Sequence, residues 1–254
     1  MTVLGIDIGG SGIKGAPVDV ETGILGAERF RIDTPKPATP AKVARAVRHV
    51  VDHFGWHGPI GCTIPARVHD GVALTATNIH STWIDTPVDV LFSEATGCPV
   101  RVINDADAAG VASMQFGAGK GHRGVVMLLT VGTGIGTALF VDGVLVPGTE
   151  LGHLEVQGRN AEQYASDRTR KEVGLSWKQW AKRFQQYLDT VEFLFAPDLI
   201  ILGGGISRPT KKEQYLKYLT TKAELVTAIL QNEAGIIGAA YMARDLALPQ
   251  PAAS

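Results

Sequence analysis

Three glycine clusters, each set at the end of a short β-branched apolar run, recur along the chain: Gly9-Gly10-Ser11-Gly12, Gly132-Thr133-Gly134-Ile135-Gly136 and Gly203-Gly204-Gly205. Apolar runs bounded by glycine read as strands. The segment Gly5-Ile6-Asp7-Ile8-Gly9-Gly10-Ser11-Gly12-Ile13-Lys14-Gly15 therefore passes from one strand through a turn into the next, and Leu128 to Thr137 repeats that logic about 120 residues later. Residues without a Cβ let the backbone approach an anion, and consecutive N–H groups in such a turn form an anion nest. One cluster is no more than an ordinary hairpin carries. Three in this order, the last ending a strand where a flat ring can lie against backbone, demand two strand–turn–strand units and a third glycine edge.

The rest of the pattern fills in around them. Residues 2–8, 13–19 and 26–33 predict a meander, followed by a helix capped by Thr39, with Pro40 in its first turn and Val43, Ala46, Val47, Val50, Val51 and Phe54 at helical spacing. A strand over 59–65, a helix from Thr86-Pro87, a strand over 99–103 and a short helix from about Asp105 continue as β/α alternation. The pattern restarts with strands over 124–131, 137–141 and 144–147. Trp177, Trp180, Phe184, Tyr187, Leu188, Val191, Leu194 and Phe195 share one face of a core helix over 175–195, Asp198–Leu202 is a strand, and a small-residue helix over 234–246 closes the fold. This order is that of an α/β protein with two sheets.

Charge and composition exclude several classes. With 45% hydrophobic and 19% charged residues the chain of 254 residues is globular, and a net charge of −1 gives no global attraction to nucleic acid or an anionic membrane. No apolar run approaches the roughly 20 residues that span a bilayer, and Asp7 interrupts the first apolar run with no basic segment before it, so neither a membrane span nor a signal peptide is expected. Cys62 and Cys98, the two cysteines, lack zinc-site spacing and fit a reducing compartment.

Several polar groups stand where chemistry can occur. Asp7, just before the first turn, can hold Mg²⁺ directly or through water. No GxxxxGK[ST] loop occurs, and Ser11 is not in a GxSxG elbow because Ile13 stands where the second glycine belongs. Asn104 and Asp105 emerge from an apolar strand at a strand-to-helix turn. An acid there can take the proton of a hydroxyl attacking phosphorus while Asn104 bonds a neighbouring hydroxyl. From this segment alone, helix capping by Asp105 is the stronger reading. Asp107 reads as a first-turn acid favoured by the helix dipole. Glu150, His153, Glu155 and Glu162 gather acceptors for hydroxyl groups, and the second ExxH motif that a di-iron site needs is absent.

Together these motifs resemble the ROK family of bacterial sugar kinases and repressors, within the actin-like ATPase and hexokinase superfamily. The likeness runs over nearly the whole chain. The cysteine-rich zinc motif common in that family is missing from Glu155 to Ser166, and this departure, with the first two glycine motifs, is similar to the polyphosphate/ATP-dependent glucokinase branch of glucomannokinase type. The resemblance implies a two-lobed actin-like, ribonuclease H-like α/β fold, each lobe a mixed sheet with flanking helices. It places a small N-terminal lobe over 1–107 plus 240–254, a large C-terminal lobe over 108–239, and sugar and phosphate donor in the cleft between them. It implies phosphorylation of glucose, and of mannose as an alternative, at the C6 hydroxyl, with inorganic polyphosphate, ATP or both as donor and Mg²⁺ but no zinc as cofactor. Asp105 matches the catalytic base. Asn104, Glu150, His153 and Glu162 match sugar ligands, and Asn78 lies on the segment after the sugar-side loop Gly61-Cys62-Thr63-Ile64-Pro65. That loop departs from the family by carrying Ala66-Arg67 where a glycine is usual. Gly9, Gly10, Ser11, Gly12, Lys14, Thr133 and Gly134 are expected to bind phosphate, Gly204 and Gly205 the nucleotide, and Asp7 the metal. The expected setting is cytoplasmic, without nucleic-acid or membrane partners, and a homodimer is open because many relatives are dimers.

Two rivals share parts of this pattern. A sugar-responsive repressor needs an N-terminal helix-turn-helix, whereas this chain opens on a strand; an actin-like ATPase shares the hairpins but has no use for Asn104-Asp105 with Glu150 and His153. For a polyphosphate donor, residues 165–225 carry 11 Lys/Arg against 7 Asp/Glu, an excess of four positive charges, with Arg208, Lys211 and Lys212 best placed as a track. Solvated helix faces are the plainer account of most of these.

Overall fold

The computed structural model describes residues 1–76 and 79–247. The chain forms two compact units: Met1–Ala112 with the segment from Glu233 onward, and Ser113–Asn232.

In the first unit β1 (Thr2–Ile8) and β2 (Ile13–Asp19) form an antiparallel hairpin closed by the Ile8–Ile13 pair. The single strand expected over 26–33 is instead two short ones, β3 (Ile24–Leu25) and β4 (Phe30–Ile32). They pair with opposite ends of β2, Leu25 with Val18 and Ile32 with Ile13, so the backbone between them must leave the ladder. Helix α1 (Pro40–His53) buries Val43, Ala44, Val47, Val50 and Val51 as its spacing requires, but Thr39 makes no side-chain cap and supplies only its carbonyl, to Val43 N–H. The fully buried β5 (Ile60–Ile64) lies parallel to β1. Strands β6 (Val68–His69), β7 (Val72–Ala73) and β8 (Thr86–Pro87) make a small antiparallel sheet. Thr86-Pro87 thus ends a strand, and α2 (Val88–Thr96) starts after it, closing on Gly97 at φ 72°. Strand β9 (Val100–Asn104) pairs parallel with β5 and leads into α3 (Asp105–Phe116).

The second unit repeats the scheme. Strands β10 (Val125–Val131), β11 (Ile135–Val141) and β12 (Val144–Val146) are antiparallel, followed by the hairpin of β13 (Glu155–Val156) and β14 (Arg159–Asn160). Then come α4 (Ala161–Ala165), α5 (Asp167–Val173), α6 (Trp177–Phe195), β15 (Leu199–Gly203), α7 (Pro209–Tyr215) and β16 (Glu224–Thr227). Its sheet runs β12-β11-β10-β15-β16, the counterpart of β3-β2-β1-β5-β9 in the first unit, with the last two strands parallel in each. Ser176 and Gln179 close a capping box on α6, which buries Trp180, Ala181, Phe184, Tyr187, Leu188 and Val191. Leu194, expected in that core stripe, is 52% exposed, whereas Phe195, the next residue, packs partly buried against the core.

The last helix, α8 (Ala234–Met242), returns to the first unit and stops short of the expected 246; a 3₁₀ turn over Arg244–Ala247 follows. A Cβ on Gly5 would strike the Ile236 carbonyl and one on Gly61 the Ala239 carbonyl, so glycines in β1 and β5 let this small-residue helix rest on the sheet. No helix among the described residues is long and apolar enough to cross a membrane.

Candidate active site

The first glycine turn is tied by Gly9 N–H to Gly12 O at 3.0 Å. Gly10-Ser11-Gly12-Ile13-Lys14-Gly15 has GxGxxG spacing, yet it runs into β2 and not into a helix, which separates it from a dinucleotide fingerprint. Arg31, from β4, donates through Nη2 to Ser11 O at 3.0 Å and brings a cation to this turn that the sequence reading missed. Asp7 faces Lys14 across the hairpin, with Nζ 3.5 Å from Oδ2. On its other side the parallel register sets Thr63 beside Asp7: Thr63 Oγ1 donates to Asp7 Oδ1 at 2.9 Å and accepts Ile8 N–H at 3.1 Å. Mg²⁺ commonly takes one or two carboxylates together with substrate phosphates and keeps several waters. A single oriented carboxylate beside an anion nest fits that demand. No group of three His, Cys, Asp or Glu that could cage a metal occurs among the described residues.

At the end of β9 the capping expected of Asp105 falls to its neighbour. Asn104 Oδ1 accepts the N–H groups of Ala106 at 2.8 Å and Asp107 at 3.1 Å, while its Nδ2 donates to Ala66 O at 3.0 Å. Ala66, which stands in place of the usual glycine, is therefore part of this anchor through its carbonyl. Asp105 has Oδ1 2.9 Å from Ala106 N on an exposed position, and Asp107 is buried in the first turn. Asn104 Nδ2 carries a second hydrogen that suits a hydroxyl acceptor. Asn78 lies outside the described residues.

In the second unit Gly132 N–H bonds Gly134 O at 3.0 Å, and Thr133 is exposed at the tip of the turn. The Glu150–His153 segment is pinned to β11, since Thr137 Oγ1 donates to Thr149 O at 2.9 Å and accepts Leu151 N–H at 3.1 Å, with Gly152 against the Ile135 carbonyl where no side chain fits. His153 Nε2 is 3.9 Å from Glu150 Oε2, and Asn160 Nδ2 is 2.7 Å from His153 Nδ1. Asn160 Oδ1 already accepts Glu162 N–H at 3.1 Å as the cap of α4, so its amide nitrogen faces the ring. That assignment leaves Nδ1 as acceptor and puts the ring proton on Nε2. Glu162 extends from α4 to Gly134, so Glu150, His153 and Glu162 are gathered around the second hairpin. Asn160 was missed, although Asn-Ala-Glu at a helix start is a readable cap signal.

At the third cluster Gly204 takes φ 73° and Ser207 Oγ donates to Gly204 O at 2.9 Å. Nearby, buried Asp167 holds Arg170 at 2.8 Å, Lys211 at 3.0 Å and Lys171 at 3.2 Å. Burial opposes its ionisation, but hydrogen bonds from Arg170, Lys211 and Lys171 outweigh that and hold the carboxyl down at about 2. Two arginines of the basic tract have aromatic partners: Arg170 itself lies 4.0 Å over Trp177, and Arg183 5.0 Å over Tyr164. Burial pushes the thiols of Cys62 and Cys98 up, so neither is a reactive thiolate.

The ROK family model matches residues 3–165. The polyphosphate glucokinase of Mycobacterium tuberculosis is 47% identical over 237 residues, which cover 93% of this chain and 89% of that protein. The crystal structure of the inorganic polyphosphate/ATP-glucomannokinase from an Arthrobacter strain superposes with a TM-score of 0.91 at 47% identity, covering 96% of this chain and 98% of its own. A ROK family glucokinase from Streptomyces griseus, in complex with glucose and AMPPNP, superposes with a TM-score of 0.81 at 26% identity, covering 96% of this chain and all of its own (100%). The fold is accordingly the α/β actin-like kinase fold of these proteins.

Proposed function

The chain belongs to the ROK family, and on that premise we infer that it is a glucokinase that phosphorylates the C6 hydroxyl of a hexose with inorganic polyphosphate or ATP as donor. The observation that carries this is identity of 47% with a polyphosphate glucokinase across 93% of the chain. Mannose as a second acceptor, a homodimeric state and a cytoplasmic setting belong to the same reading and rest on the family alone.

Asp105 serves as general base. Asn104 caps α3, and the exposed Asp105 beside it is placed to accept the C6 proton as the sugar oxygen attacks phosphorus. The free hydrogen of Asn104 Nδ2 and the groups of Glu150, His153 and Glu162 bind sugar hydroxyls, with His153 donating from Nε2. Backbone N–H groups at Gly10, Ser11 and Gly12, aided by Lys14, and those at Thr133 and Gly134 hold the donor's phosphoryl oxygens where negative charge builds, while the Gly9 N–H, expected to join them, is taken by Gly12 O and ties the turn. Gly204 and Gly205 offer a flat edge to the nucleotide. Asp7, oriented by Thr63, would hold Mg²⁺. That ion, when bound, neutralises charge on the transferring phosphoryl group.

Purified protein assayed with glucose and mannose against ATP and polyphosphate, with and without Mg²⁺, tests the reading. Glucose-dependent consumption of either donor supports it; donor hydrolysis indifferent to every hexose would replace it with an actin-like ATPase.

A further inference from the structure

Three cations converge on the single carboxylate of Asp167: Arg170 at 2.8 Å, Lys211 at 3.0 Å and Lys171 at 3.2 Å. The carboxylate is 4% exposed, whereas Lys211 is 24% and Lys171 61% exposed. The anion is thus sealed in while both ammonium groups reach solvent, and three positive charges against one negative leave the hub with an excess of two. Arg170 is fixed further by its stack on Trp177.

The hub touches both glycine turns of the second unit. The next residue, Arg168, donates its N–H to Gly132 O at 3.1 Å. Lys211 Nζ stands 3.9 Å from where a Cβ on Gly205 would be. The surplus sits on the two lysines that reach solvent, where a dissolved anion can meet it. Surplus cations at a glycine edge suit an anionic ligand. A nucleotide ends in an uncharged base, whereas polyphosphate carries negative charge on every unit and needs cations along that same edge. Lysine, a compact charge on a flexible stem, suits phosphates that have no fixed register.

We propose that Asp167 is a positioning residue for the donor, holding Lys211 and Lys171 so that their ammonium groups bind the oxygens of a polyphosphate chain beyond the phosphoryl group that is transferred. The proposal rests on the polyphosphate-donor reading given above.

Calorimetric titration of the full chain with polyphosphate of defined length and with ATP, run beside glucose turnover, tests it. Lys211→Ala should weaken polyphosphate binding about tenfold or more, equivalent to roughly 1.4 kcal/mol, and more than it weakens ATP binding. Asp167→Asn should act in the same direction, with the polyphosphate KM rising further than the ATP KM. Lys182→Ala, which removes the same charge from an exposed position on α6 that is not among the cations paired with Asp167, should leave polyphosphate affinity within about twofold. Should Asp167→Asn fail to fold, Lys211→Ala alone decides. Equal effects of Lys211→Ala and Lys182→Ala, or equal losses for both donors, would overturn the hub. If wild-type protein transfers from polyphosphate while Lys211→Ala binds it normally, the hub falls and the donor reading stands. Binding through Lys211 without transfer to glucose keeps the hub and removes the donor reading, and no binding by wild type removes both.

Discussion

Thr63 and Asp7, 56 residues apart in the chain, are joined by a hydrogen bond of 2.9 Å from the Thr63 hydroxyl to Asp7 Oδ1, and the same hydroxyl accepts the N–H of Ile8. Thr63 is buried, so Thr63→Val keeps the shape but leaves the Ile8 N–H unsatisfied, which costs about 1–3 kcal/mol. Urea unfolding should show that loss. If Asp7 is the metal-side carboxylate, the variant should also need more Mg²⁺ for half-maximal turnover with the glucose KM unchanged. An unaltered Mg²⁺ requirement would take Asp7 out of that role.

The adjacent pair Asn104 and Asp105 should separate cleanly by mutation. Asp105→Ala is expected to lower kcat by ~10²–10⁴-fold while the melting temperature holds, because proton transfer is lost and the cap is not. Asn104→Ala should instead cost about 0.5–2 kcal/mol of stability through the lost cap and raise the glucose KM through the lost sugar contact, with a smaller fall in kcat than Asp105→Ala. An Asp105→Ala protein that keeps most of its kcat would show that another group takes the proton.

Asn160 fixes the ring of His153 through Nδ1. Asn160→Ala frees the ring to adopt the other tautomer, and a rise in glucose KM larger than the fall in kcat is expected. Nitrogen chemical shifts of the imidazole would report the tautomer directly; the same tautomer in both proteins would contradict the assignment.

The Asp167 carboxyl is held at about 2 in the folded protein, below its ordinary value of about 3.9. Its contribution to stability is therefore fully present above about pH 4 and is lost as pH falls towards about 2. Asp167→Asn should be less stable than wild type near neutrality, and the gap should narrow across that acid window. A gap that stays constant from pH 7 to pH 2 would mean that the ion pairs contribute nothing.

Metal analysis of dialysed protein should find no stoichiometric zinc, because Cys62 and Cys98 are both buried, with thiols pushed up by that burial, and cannot act as thiolate ligands. Chelation with EDTA should nonetheless abolish turnover, and added Mg²⁺ restore it. One zinc per chain would refute the first expectation.

Much of this was legible without coordinates because it is local. Apolar runs broken by glycine located β1, β2, β10, β11 and β15, and helical spacing located the buried faces of α1 and α6. The same local logic misplaced the edges. Thr86-Pro87 reads as a helix start but pairs with Val72-Ala73, and Thr39 has a capping side chain that caps nothing.

What the sequence by itself determined was the order of elements and the residue types at each turn, since both follow from spacings of a few residues. Which groups meet was decided by the tertiary structure. Parallel register between β1 and β5 puts Thr63, one polar residue in a buried run, beside Asp7, and nothing local marks that choice. The packing of α7 brings Lys211 to Asp167, 44 residues away, turning one minus sign in a charge count into the centre of a cation cluster. Asn104 rather than Asp105 caps α3 because the Ala66 carbonyl from another loop holds its amide in place. Periodicity encodes which face of an element is buried, but the partner on that face is set by how distant elements pack, and neighbours in the chain carry no record of it.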